Sequence, residues 1–468
     1  MTAPYIKWRE IFFVSLAVII LNLVSYYGLK SVAIFIFMMG VLLLVVNKRQ
    51  GIYFFICAFL AYSDIPFTVS DDAGMSTIFT EKIGFFSISV IWTLIIFIVL
   101  AFKYLATAKI SKRPIVAIYL FLIYVILGLQ YIGMPGGRWV SDFAYFINIF
   151  TGILIAWYLS ISVYSYDTSK LGRHLGILIT VFASKCMFLV LHALYVGGKV
   201  DLFNYLSESG MYLSAFFIPL IIAALYSRVH YVPKNFMPIA IFLIILVNVT
   251  SSSRGRLIII LLAASIALVK LGRIRDILKY APLFALPVAF LPLLNENYFT
   301  FLLWKAGSFN VGEAGSESST VRYIEFLNIL YMHLERGYSL FIGTGIGGYF
   351  TSEYFDFTFQ LYDTNSYPDL WISNDTFFKP HGSSLYIFLK FGIIGLLYCF
   401  LYIPWMILSV VRRNYFEVNS SHYPVLIACL CSIFPMFLTN FSSKLQLFTG
   451  LILGIALACQ NHQVKQRF

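Results

Sequence analysis

Charge is what this chain has least of. Only 12% of its 468 residues are Asp, Glu, Lys or Arg, against ~25% in a soluble domain. Sixty per cent are hydrophobic and the mean hydropathy is +0.85, which excludes a soluble domain. Cysteine is also scarce. Cys57, Cys186, Cys399, Cys429, Cys431 and Cys459 all fall in apolar runs, so no disulfide framework is expected even opposite an oxidising compartment. Cys429-x-Cys431 lacks the spacing and the two further ligands of a zinc site and reads as core packing. Internal repeats, low-complexity tracts and a separate soluble domain are missing too. The lysines and arginines form no clustered basic face, which argues against nucleic acid as a partner despite the net charge of +12.

What is abundant is apolar runs close to the ~20 residues that cross a hydrocarbon core as helix. About fourteen are expected, near 11–29, 31–46, 51–67, 83–102, 115–134, 143–164, 175–195, 211–227, 236–250, 257–271, 281–295, 384–411, 423–439 and 445–460. Of these, 31–46, 236–250 and 445–460 are short enough to read alternatively as re-entrant segments. No small-residue cleavage site follows the first run, so that helix is expected to be retained. The fold class is an all-α integral membrane protein. It divides into helices over 1–294, one large ordered outer loop over 295–382, and further helices over 383–468.

Basic residues gather at alternate loop ends, among them Lys48/Arg49, Lys103 to Arg113, Lys270/Arg273/Arg275/Lys279 and Arg412/Arg413. By the positive-inside rule these ends and both termini are cytoplasmic. Acidic residues fall the other way, ten of the 21 lying in 295–382. A loop of that length is functional or disordered, and Tyr298, Trp304, Phe326, Tyr331, Tyr349, Tyr354 and Trp371 give it apolar material to bury. It is expected to be ordered and to cap the outer face of the membrane.

Polar chemistry is concentrated on that side. Thr250-Ser251-Ser252-Ser253-Arg254-Gly255-Arg256 interrupts what would be one long apolar helix. Its arginines suit either lipid headgroups or a phosphorylated ligand. Arg322 follows Ser318-Ser319-Thr320 in a first helical turn, where free N–H groups, the dipole and a guanidinium fork favour a phosphate. A surface ion pair with Glu325 is the alternative. Gly343-Thr344-Gly345-Ile346-Gly347-Gly348 has no Walker lysine or βαβ context and reads as a flexible turn. His381 stands between Pro380 and the next apolar run. An imidazole there, with an ordinary pKa of ~6.5, suits a general base, an N-cap or packing being the other reading, and His333 is the rival base.

Arg254 in its Ser-x-x-x-Arg-Gly hairpin, Arg322, the Gly-x-Gly-x-Gly stretch and His381 with Leu385, Gly392 and Gly395 resemble the O-antigen polymerase and ligase family over about 250–400. Phe326, Leu340 and Lys390 depart from it, standing where Trp, Pro and an acidic residue are usual. The resemblance implies a GT-C-like membrane glycosyltransferase of the bacterial inner membrane with its site facing outward. The arginines would hold a donor pyrophosphate and His381 would deprotonate an acceptor hydroxyl, without metal or other cofactor. Independently, a transferase on the outer face has no nucleotide sugars, so its donor must be carried on a lipid. The outer loop holds no Asp-x-Asp, so no divalent metal is demanded.

The expected function is polymerisation of undecaprenyl-pyrophosphate-linked oligosaccharide repeats, with ligation of glycan to a lipid acceptor or flipping of the lipid-linked oligosaccharide as alternatives. Membrane lipids and a chain-length regulator are the further expected partners. Arg138, Arg256 and Lys390 are secondary pyrophosphate contacts. Lys185, mid-span and therefore expected to face the protein interior, reads either as a lipid-phosphate contact or as a structural lysine.

Overall fold

The computed structural model describes residues 6–26, 30–46, 51–52, 82–83, 86–107, 122–160, 168–196, 211–227, 229–249, 254–272, 317–357, 367–414, 423–438 and 447–456. The expected spans at 51–67 (apart from its first two residues) and 281–295, the turn 250–253, residues 295–316, and Cys57 and Cys459 lie outside them. Helices occupy the other apolar ranges: α1 (Trp8–Tyr26), α2 (Lys30–Val45), α3 (Ile88–Thr107), α4 (Leu122–Tyr131), α5 (Trp139–Ser160), α6 (Thr168–Val196), α7 (Met211–Tyr226), α8 (Phe236–Val249) and α9 (Arg254–Lys270). The outer loop contributes α10 (Glu317–Arg336), α11 (Tyr338–Ile342) and α12 (Asp369–Ser373). Then come α13 (Ser383–Leu397), a π-helical turn at Tyr398–Tyr402, α14 (Ile403–Asn414), α15 (Tyr423–Leu438) and α16 (Leu447–Ala456). One two-residue antiparallel pair, Lys82–Ile83 with Phe86–Ser87, precedes α3. Pro404 explains the π turn, because it lacks the N–H that would continue the α ladder.

Among the described residues, three helical stretches are long and apolar enough to cross a membrane: Trp139–Tyr158, Gly172–Leu191 and Ser383–Ser409. The shorter apolar helices fill further expected ranges. Small residues let them meet closely. A Cβ on Gly152 of α5 would fall 2.1 Å from the Leu447 carbonyl of α16, and one on Gly450 would fall 2.0 Å from that of Ile149. With Gly454 also against Ile153, Gly450-x-x-x-Gly454 supplies the close backbone approach that replaces the hydrophobic drive in an apolar solvent. α7 packs on α15 and α9, α6 on α1 and α8, and α3 on α5. Between α1 and α6, the Lys185 ammonium donates to the Asn22 side-chain oxygen and lies 5.8 Å over the Phe188 ring. It is buried inside the bundle, facing the protein interior as a mid-span lysine is expected to.

The described part of the 295–382 loop is ordered around its own apolar cluster. Val321, Ile329 and Met332 of α10 meet Phe350, Phe357, Tyr367, Trp371, Phe377 and Phe378, together with Phe388 and Leu389 of α13. An antiparallel bridge of 3.1 and 2.9 Å between Phe350 and Phe377 closes it.

A backbone break in α13 fastens this cluster to the membrane helix. Gly392 has φ 61° and ψ −156°, a region essentially restricted to glycine, and the carbonyls of the turn before it bond outside the helix. The Phe388 carbonyl accepts from His333 Nε2 at 3.1 Å. The Leu389 carbonyl accepts from the Thr344 amide at 2.9 Å and from its hydroxyl at 2.9 Å, and the Lys390 carbonyl accepts from the Gly345 amide at 2.9 Å. The 343–348 stretch is therefore a buried strap and not the flexible turn expected. Its remaining amides are also used: Gly343 to Ser339 O, Ile346 to Tyr124 O and Gly348 to Gly345 O, and Gly347 to the Asp142 carboxylate at 3.0 Å. A Cβ on Gly343 would lie 2.3 Å from the Lys390 carbonyl, and one on Gly392 would lie 2.5 Å from Phe341 backbone. Gly392→Ala is expected to destabilise the protein by at least about 1–3 kcal/mol from backbone strain alone, read as a lower melting temperature in detergent. An unchanged melting temperature would show that this crossing is not needed.

Candidate functional site

α10 is amphipathic, and one carboxylate sits on its buried face. Val321, Glu325, Asn328, Ile329 and Met332 recur at helical spacing and are all buried. Burying a carboxylate is costly unless donors surround it, and they do. Glu325 Oε1 accepts from the Tyr367 hydroxyl, from the His381 main-chain N–H at 3.0 Å and from His381 Nδ1 at 2.6 Å. Oε2 also accepts from that N–H at 3.0 Å. Burial and the adjacent Glu325 carboxylate push the Tyr367 phenol well above its ordinary value, so it stays a donor. A carboxylate receiving these bonds is an acceptor only, which requires the hydrogen of the imidazole on Nδ1. In the neutral imidazole Nε2 then carries the lone pair, and it has no partner among the described residues. The side chain of His381 is 30% exposed while that of Glu325 is 0% exposed. The Tyr367 ring meets the imidazole edge-on at 4.8 Å. The arrangement is an orienting carboxylate, a histidine of fixed tautomer and an accessible basic nitrogen.

Arg322 lies one helical turn before Glu325, a spacing that separates Cβ atoms by about 5–6 Å. It is exposed, and among the described residues no carboxylate pairs with it. Glu325, the alternative partner for it, is committed to His381. α10 begins at Glu317, so Ser318–Thr320 lie inside the helix rather than capping it, and Arg322 falls in the second turn and not the first turn expected; its guanidinium is exposed and unpaired among the described residues.

A second polar cluster lies where α5 begins. Arg138 donates through Nη2 to the Tyr145 hydroxyl at 2.8 Å, and its guanidinium lies 5.9 Å over the Trp371 ring. Its Nε is buried without a hydrogen-bond partner. Trp371 donates to the Gly136 carbonyl at 3.0 Å and its ring is 6.1 Å from that of Tyr367, so Arg138 joins the histidine through two aromatic rings. Lys390, expected to contact pyrophosphate, faces inward instead. It pairs with Asp142 at 2.8 Å, both side chains essentially unexposed, and donates to the Gly348 carbonyl. Its charge is spent on a buried carboxylate and the strap, because α13 turns this position toward α5.

The rival base is also placed. His333 is buried, with Nδ1 on the Ser339 hydroxyl at 2.9 Å and Nε2 on a carbonyl, so neither nitrogen is available. Arg254 and Arg256 stand in the first turn of α9, and their side chains lie outside the described residues. From sequence, Glu325 was named only as a surface partner for Arg322, and Tyr367 was not singled out. Glu325 was detectable as an acid at an apolar-face position of an amphipathic helix, whereas Tyr367 carried no signal among so many aromatics. Among the described residues, no three His, Cys, Asp or Glu side chains converge as metal ligands.

No protein-family model, no curated protein and no solved structure matches this chain.

Burial lowers the His333 imidazole from 6.5 to about 4. The unfolded chain takes up that proton from about pH 6.5 downward and the folded one only near pH 4. Stability is therefore complete above the unfolded value and falls through this window, by at most about 1.4 kcal/mol per pH unit. The melting temperature should drop between pH 6.5 and pH 4, and His333→Gln should flatten the slope. Equal slopes in both proteins would assign the acid sensitivity to other groups.

Proposed function

We propose that the chain is a metal-independent, inverting glycosyltransferase of the O-antigen polymerase type. It lies in the bacterial inner membrane with about fourteen spans, both termini in the cytoplasm and the loop outside. The reading rests above all on the His381–Glu325 pair: a buried carboxylate holds one imidazole nitrogen and leaves the other accessible, and Arg322, three residues before Glu325 on the same helix, is exposed and unpaired among the described residues. In the proposed reaction the acceptor hydroxyl oxygen bonds to the anomeric carbon of the lipid-linked repeat. The carbon–oxygen bond to pyrophosphate breaks, and the hydroxyl proton passes to His381 Nε2. Glu325 stabilises the imidazolium through the Nδ1 hydrogen bond. Undecaprenyl pyrophosphate leaves with its developing charge against Arg322, where one lost donor in such a site costs ~2.7–4 kcal/mol. Arg254, Arg256 and Arg138 are the further candidates for that charge.

In purified protein given lipid-linked repeats, His381→Ala should slow turnover by about 10²-fold or more. Glu325→Gln should slow it by about 10²–10⁴-fold, the scale of losing an orienting carboxylate. Arg322→Ala should abolish polymer and Arg322→Lys restore it only partly, since lysine keeps charge and loses the fork. Chelator should have no effect. Near-normal turnover in His381→Ala would remove the base, and inactivation by chelator with rescue by metal would overturn the mechanism. Deleting the gene separates the class: single repeats on the acceptor mark a lost polymerase, free lipid-linked polymer a lost ligase, and build-up inside the cell a lost flippase.

A further inference from the structure

α13 changes character at Gly392. Before it, Ser383 and Tyr386 through Phe391 are buried among the strap, the loop cluster and α5. After it, exposure becomes apolar and persistent: Ile394, Leu397, Tyr398, Leu401, Tyr402 and Trp405, the last 63% exposed. Counting back from Arg412, the first basic residue after this stretch, a rise of 1.5 Å per residue puts Gly392 about 30 Å away, the thickness of a hydrocarbon core. Burial and length thus place the same membrane boundary at Gly392.

The outer loop meets α13 at that level. Phe341 backbone lies where a Gly392 Cβ would be, at 2.5 Å, yet its side chain is 56% exposed. Its neighbours in the α10–α11 elbow, Leu334 and Tyr338, are 54% and 61% exposed. The Tyr131 phenol of α4 faces both Arg336 and Tyr338, and Leu129 and Ile132 beside it are also exposed. Large apolar side chains, tyrosines and an arginine at one height are the composition of a membrane–water interface. A water-facing surface of this kind would be unusual.

We propose that the elbow Leu334–Phe341 is inserted into the outer interface of the lipid bilayer and anchors the loop to it. The anchor fixes the height of the site. His381 stands just before α13 begins at Ser383, so it lies on the same side of the Gly392 break as the buried half of that helix and away from the exposed apolar half. The proposal rests on α13–α14 crossing a bilayer, which is part of the reading above, and not on the transferase chemistry.

The test is depth-resolved fluorescence on full-length protein reconstituted in phosphatidylethanolamine and phosphatidylglycerol vesicles. An environment-sensitive label is placed at Phe341→Cys, Tyr338→Cys, Leu401→Cys or the exposed Glu353→Cys, with labelled unsubstituted protein as the blank. Lipids carrying a shallow acyl-chain nitroxide should quench positions 341 and 338 several-fold more than 353, while iodide should quench 353 best. Leu401 should be quenched most by a deep nitroxide. Quenching of 341 and 338 by iodide alone, with 401 still quenched from the bilayer, overturns the anchor and leaves the span intact. Protection of both from either quencher also overturns it, since protein, such as a second copy, then covers the elbow. No bilayer quenching at 401 sinks the span and the anchor together. Should Phe341→Cys fail to fold, Tyr338→Cys decides.

Discussion

Backbone carbonyls in an apolar setting must find donors, and this requirement organises the molecule. A helix satisfies its own, and α13 declines to for one turn at Gly392. Three carbonyls become available, and residues of the outer loop take all of them: His333 from α10, Thr344 and Gly345 from the strap. Side chains then follow. The strap carries Gly347 to Asp142 and Gly348 to Lys390, so a buried ion pair and a glycine-rich crossing close the same joint. An unsatisfied group there would cost ~1–3 kcal/mol, which explains why the joint is so completely bonded.

The two clusters serve different ends. Asp142 and Lys390 neutralise each other out of reach of solvent, and removing either would strand a buried charge. Glu325 is equally buried, but its partner is half in the open, so its charge acts outward through the imidazole. One carboxylate holds two helices together and the other orients an imidazole. Distance from water, not residue type, decides between them.

Most helices were legible in the sequence because apolar runs of span length have few other solutions. α6 extends past the range read for it, and the run read as one span at 384–411 is divided into α13, a π-helical turn and α14. The proline–glycine frame placed His381 at the start of α13, whereas the N-cap read at Ser318–Thr320 lies inside α10, which begins at Glu317. Glu325 was visible but given the wrong neighbour, since spacing along one helix suggests Arg322 and only the return of the chain at 381 supplies His381. Lys390 was misplaced because a lysine near the outer end of a span reads as interfacial until its helix is rotated against Asp142. The strap was opaque: its order depends on a φ angle at Gly392, nearly fifty residues away, and no local pattern carries that.

Glu325 grips His381 twice, once by the main chain and once by the ring. The first bond fixes where the residue is and the second fixes how its ring is turned. Rotamer freedom worth roughly 0.5–1.5 kcal/mol for an immobilised side chain has thus been surrendered during folding. No ligand arriving at Nε2 has to supply it again, and acid and imidazole can only move as one body.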